Sequence, residues 1–142
     1  NKENSYQIFA RGGLSQIYDD STELGHKYFL MFSKTKGNFL FDVSHNTISN
    51  TFDPNDFGFL RRNNESEWSL DLSYNFNEPF WKVLNWRNRV SFDHQSLYKP
   101  REYTRFSMRY NTSTTFANSY LHMRFNVNYN PQKNINNVVY IF

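Results

Sequence analysis

Three groups of residues have types and spacings that could do chemistry. "FDPNDFG" gathers Asp53, Asn55 and Asp56 in one short loop, and side-chain oxygens at alternating spacing can hold calcium. The segment is too short for an EF-type loop and lacks its downstream glutamate. Pro54, with its fixed φ, and Gly58, which accepts an awkward turn, suit Asx-turn chemistry, so the reading is a structured loop. Arg61 and Arg62 follow in "LRRNN". They can pair with Asp53 or Asp56, or meet lipopolysaccharide phosphates if the loop is extracellular; as loop charges they read most simply as solvated.

The second group is acidic and basic together. Asp42, Asp71 and Asp93 fall on the polar faces of expected strands. Two carboxyls held roughly 5 to 9 Å apart could hydrolyse glycosides. Arg87, Arg89, Arg105, Arg109 and Arg124 lie on matching faces, and a simpler role follows. Facing acidic and basic walls filter solutes, or fill a small barrel with salt bridges. The third group is His26, His45, His94 and His122, on four different expected strands and without HExxH spacing. Only strand pairing could unite them into a zinc site. There is no serine elbow, P-loop or GxGxxG fingerprint. The absence of cysteine excludes disulfides and thiolate metal sites. The expectation is a non-enzymatic chain with no cofactor and no metal.

Strands must position these groups. "WSLDLSYNF" alternates strictly, with Trp68, Leu70, Leu72, Tyr74 and Phe76 on one side and Ser69, Asp71, Ser73 and Asn75 on the other. Similar stretches recur at intervals of roughly 15 to 20 residues, separated by turn residues. They cover about Ser5 to Tyr18, with a bulge or bend expected at Gly12-Gly13, then His26 to Lys34 and Asn38 to Ile48. After Trp68 to Phe76 come Val83 to Leu97, Tyr103 to Thr112 and Leu121 to Tyr129. The last covers Asn137 to Phe142. Phe106 and Met108 alternate against Arg105 and Arg109, and Leu121, Met123, Phe125 and Val127 against His122 and Arg124. Only "EPFWKVLNW" offers a short turn of helix. The pattern predicts an all-β, antiparallel up-and-down meander in a single domain, residues 1–142.

The chain is 20% aromatic, whereas disordered chains are aromatic-poor. It is polar overall, mostly through Asn and Ser. Strands with one strongly apolar and one strongly polar face reconcile the two. No run approaches the roughly 20 apolar residues of a membrane helix. The net charge of +3 is mild and its lysines and arginines scattered, which argues against nucleic acid as partner. Strand length, aromatics near strand ends and polar opposite faces favour a transmembrane barrel, apolar face to lipid and polar face to the lumen. The alternative is a soluble β-sandwich or β-barrel that binds a ligand, its apolar faces turned inward.

The segment "KTKGNFLFDVSHNTISNT" followed by "FDPNDFGFLRRNNESEWSLDLSYNF" resembles a family of large outer-membrane proteins typical of Bacteroidota, the domain of unknown function 5916. The clear match runs from about Thr35 to Phe76. The resemblance implies a carbohydrate-binding-type sandwich followed by a C-terminal barrel, of which this chain looks like a part with seven or eight strands. The closing "NNVVYIF" is similar to the C-terminal aromatic signal of outer-membrane barrels. The localisation expected is the bacterial outer membrane. The partners expected are membrane lipid or lipopolysaccharide, with envelope-complex subunits or further strands of the same barrel at the sheet edges. The function expected is transport, surface binding or a structural role, with glycan-related work implied only through the sandwich. The long loop suggests an extracellular end, leaving "TKGN" in the periplasm.

Overall fold

The computed structural model describes residues 5–18, 22–53, 63–131 and 140–141. Eight strands follow one another: β1 (Tyr6–Tyr18), β2 (Thr22–Lys34), β3 (Phe39–Ile48), β4 (Glu65–Phe76), β5 (Val83–Leu97), β6 (Tyr103–Phe116), β7 (His122–Tyr129) and the two-residue β8 (Tyr140–Ile141). Each pairs antiparallel with the next, in a single sheet ordered β1 to β8. The expected all-β meander is therefore present. Among the described residues the sheet is open, with β1 and β8 as its ends. Pro54, Asn55, Asp56, Gly58, Arg61 and Arg62 lie outside the described residues, as does most of "NNVVYIF".

Local chemistry accounts for most boundaries. Aromatic and β-branched residues in strict alternation favour a pleated, half-buried surface. Several strands outrun that signal. β2 starts at Thr22, β4 at Glu65, and β6 continues to Phe116, because polar residues pair through backbone groups that hydropathy does not register. The bulge expected at Gly12-Gly13 is absent: Gly12 pairs with Tyr28 and Gly13 with Lys27 in unbroken register. Register shifts occur between β5 and β6 instead, at Val83/Asn85 and Gln95/Ser96. "EPFWKVLNW" forms no helix. Phe80 and Val83 exchange backbone hydrogen bonds of 2.9 Å each way, with Trp81 at φ 48°, and the chain turns directly into β5.

The sheet has almost no core of its own. Among the described residues the buried apolar side chains are Phe52 and Val83. Phe52 is pinned where the chain leaves β3. Ser49 N–H donates to His26 O (2.9 Å), and Ser49 Oγ accepts from His26 N–H (2.9 Å). Thr51 Oγ1 donates to Leu24 O at 2.8 Å, and Asp53 N–H donates to Ser15 Oγ at 3.1 Å. The segment thus folds across the end of β1 and β2, with Lys27 Nζ 4.9 Å from the centre of the Phe52 ring. Asn64, at φ 61°, closes the same end: its side chain donates to Lys99 O (2.9 Å) and accepts from Lys99 N–H (2.8 Å).

Candidate functional site

Strand register sorts the chemistry onto one face. Because side chains alternate, residues paired across neighbouring strands share a face. One row runs Gln7, Ser33, Asp42, Asp71, Ser91, Arg109, Asn128. On one side of it lies the row Ser73, Arg89, Asn111, Asn126, and beyond that Asn75, Arg87, Ser113, Arg124. On the other side lie Ser69, Asp93, Ser107 and then Glu67, Gln95, Arg105. All seven charged residues expected on one face, Asp71, Arg87, Arg89, Asp93, Arg105, Arg109 and Arg124, are brought to one polar surface.

The two central carboxylates are occupied. Asp71 Oδ1 accepts from Arg89 Nε at 3.0 Å and from the Ser91 hydroxyl. Asp93 accepts from Ser69 Oγ on Oδ1, and from Ser107 Oγ and Arg109 Nη2 on Oδ2, all at 3.0 Å. Gln95 Nε2 donates to Glu67 Oε1 at 2.9 Å. Across neighbouring strands Asp71 thus holds one arginine and one hydroxyl, Asp93 one arginine and two hydroxyls, and Glu67 one amide. Asp93→Asn removes the charge from three donors. Hydrogen bonds to charged groups contribute about 1.5–3 kcal/mol, and exposure of the arginine reduces this. A loss of about 1 kcal/mol is expected, read as a lowered urea midpoint for the purified full-length protein.

Among the grooves that the described residues form on the polar surface, two differ in charge. One, of about 360 Å³, is lined by Arg87, Arg89 and Arg124 with Ser73, Asn75, Ser113 and neighbouring amides, and by no carboxylate. The other, of about 470 Å³, holds Glu67 and Asp93 against Arg105 and Arg109.

The reverse face is the apolar one. Ile8, Phe32, Val43, Leu70, Phe92 and Met108 form one row. Phe41, Leu72, Val90, Tyr110 and Val127 form the next. Trp68, Tyr74, Phe76, Phe106, Met123 and Phe125 are in phase with them, and Leu121 lies just before β7. Many are bare: Ile8 is 79% exposed, Trp68 52% and Met123 55%.

Polar aromatics edge this face at both ends. At one end His45 stacks on Trp68, ring centres 4.0 Å apart and planes 11° apart. His45 Nδ1 lies 3.3 Å from Tyr28 Oη, and Nε2 lies 3.1 Å from Ser66 Oγ. His94 pairs with Trp68 from the opposite strand, and His26 meets Tyr98 edge-on at 5.3 Å. At the other end Phe76 stacks on Trp86 at 5.4 Å and touches Phe80. Trp86 Nε1 donates to Thr112 Oγ1 (2.9 Å), and Thr112 Oγ1 and Tyr110 Oη donate to Asn88 Oδ1 (2.9 and 3.1 Å).

Sequence reasoning placed aromatics such as Trp68 and Phe76 near the strand ends and missed the polar partners that hold them. It separated the histidines by strand; register brings His45 and His94 to Trp68, and a ring contact brings His26 to Tyr98. It passed over Asn88, which interrupts the apolar alternation of β5 and is satisfied by its neighbours across the strand. Among the described residues no group of His, Asp and Glu could hold a metal ion. Of the loop residues singled out, Asp53 is described and exposed.

The comparisons bear on the whole chain. A family model described as "Domain of unknown function (DUF5916)" matches residues 1–138, a far longer span than Thr35 to Phe76. Nothing matches among curated proteins or among solved structures.

Proposed function

The chain belongs to the DUF5916 family, and on that premise we propose that it is part of the wall of a β-barrel in a bacterial outer membrane. The observation that supports this is the bare apolar face. A single-layer sheet that buries only Phe52 and Val83 among its described apolar side chains needs another apolar medium against it. Lipid meets that need for every strand at once, and leaves the arginine- and asparagine-rich face to line a wet interior.

The dimensions agree. Trp68 to Phe76 covers about 26 Å along the strand at about 3.3 Å per residue. Tilted by about 40°, it spans about 20 Å of bilayer height, close to the roughly 25 Å apolar band of such barrels. The belts at His45–Trp68 and Phe76–Trp86 then sit at the two interfaces, where amphipathic rings are favoured. The end carrying the 49–64 connection is assigned to the outside and the "TKGN" turn to the periplasm, because periplasmic turns are the shorter ones.

The role is non-enzymatic: passage or binding of solutes, or a structural part of an envelope complex. Asp71 and Asp93, the acids best placed for proton transfer, are held by arginine and hydroxyl partners. In lipid, backbone groups along β1 and along β7–β8 require hydrogen-bond partners. Further strands of the same barrel or a neighbouring subunit meet that requirement.

The test is membrane extraction of the full-length protein followed by gel mobility before and after boiling. Release only by detergent, with a mobility shift on boiling, is the expected result. A protein that stays soluble without detergent and shows no shift sinks the proposal, and its apolar face must then pack against protein.

A further inference from the structure

We infer that the polar face of β4–β7, at the end nearest residues 77–82, is a binding site for an anionic, hydroxyl-bearing solute about the size of a sugar acid. This deepens the barrel reading, because it makes that face the wall the solute meets.

The charge balance along the face carries the inference. Toward the 49–64 end, Arg109 is neutralised by Asp93 at 3.0 Å, and Glu67 shares the groove with Arg105. At the opposite end only Arg89 has an acid, Asp71, at 3.0 Å. Arg87 and Arg124 have no ion pair among the described residues, and no carboxylate lines their groove.

Geometry makes the excess cation useful. Arg87 and Arg124 lie in one register row with Ser113 between them. Two strand spacings separate them by about 10 Å, enough for a small ligand to sit between two guanidinium groups. Each guanidinium offers donors in a fork that matches a carboxylate or phosphate. Asn75 pairs with Arg87, Asn126 lies in the next row, and amides and hydroxyls of this kind bond sugar hydroxyls. The groove volume of about 360 Å³ falls at the small end of ligand sites. A low-dielectric wall behind a one-sign groove also concentrates anions.

The experiment is calorimetric titration of the full-length protein in detergent with glucuronate, and with glucose as the uncharged sugar of the same ring size. Glucuronate is expected to bind, more weakly as salt rises, and glucose not to bind. Arg87→Gln with Arg124→Gln is expected to weaken glucuronate at least tenfold, while Arg105→Gln changes it less than twofold. Equal binding of the two sugars overturns the inference, as does unchanged binding by the double variant. If the double variant fails to fold, judged by loss of its heat-modifiable band, the contrast between the sugars on the unaltered protein decides alone. Failure to bind by a protein that still requires detergent overturns the anion site and leaves the barrel standing. Solubility without detergent overturns the barrel, and the titration still reads the groove.

Discussion

Leu72→Arg is expected to cost about 2–4 kcal/mol of stability in a bilayer, and Ser73→Arg close to nothing. The two positions are adjacent in β4 and point to opposite faces. Leu72 pairs with Phe41 on one side and Val90 on the other, in the middle of the apolar band. If that face meets lipid, an arginine there must leave its charge in hydrocarbon or thread it several ångströms to a headgroup. Ser73 lies between Leu40 and Arg89 on the polar face, in the groove with Arg87 and Arg124, where water reaches an added cation. Urea unfolding in lipid vesicles, followed by loss of the heat-modifiable band, measures both variants. A soluble sandwich with its apolar face inside also penalises Leu72→Arg, so the comparison must be run in vesicles and in buffer. Folding in vesicles alone, with the penalty at 72 and not 73, is the lipid result.

Gly25→Val is expected to be the most damaging change outside the apolar band. A Cβ at position 25 lies 2.3 Å from Phe52 Cα and 2.5 Å from Thr51 O. Those are backbone atoms, which cannot rotate away as a side-chain tip can. They are fixed by Ser49 on His26 and by Thr51 on Leu24. Either the 49–53 segment lifts off β2, exposing Phe52 and losing those bonds, or β2 shifts. Overpacking of this kind costs about 1–3 kcal/mol. Protease sensitivity within 49–64 reads the displacement directly, and is expected to rise in Gly25→Val. Gly12→Ala is the control: its Cβ lies 3.5 Å from Lys27 O, an ordinary contact, and no change in cleavage is expected. Equal cleavage of Gly25→Val and the unaltered protein contradicts this role for the segment.

The pattern of Trp68 to Phe76 was legible because nothing interrupts it, and its register partners Phe41, Val43, Val90 and Phe92 carry the same phase. The polar charges were legible as a face for the same reason. What could not be read was pairing across strands. Asp71 with Arg89, and Asp93 with Arg109, depend on register, and a one-residue slip reverses every side chain. His45, Trp68 and His94 meet for that reason as well. Asn88 was illegible because it breaks the alternation, and only its partners Tyr110 and Thr112 explain how an amide sits there. Strand ends were misjudged at Thr22, Glu65 and Phe116, where backbone bonds continue past the apolar signal.

The chain contains no cysteine, so within it a single introduced cysteine reports one position, once any cysteine elsewhere in the full-length protein is replaced by serine. The most direct measurement is a labelled single-cysteine scan through 68–76 in the full-length protein in vesicles, with a lipid-borne quencher and an aqueous one. Lipid quenching at 70, 72 and 74 and aqueous quenching at 69, 71 and 73, alternating residue by residue, is expected for a lipid-facing wall. Positions 70, 72 and 74 shielded from both quenchers place that face against protein and contradict it.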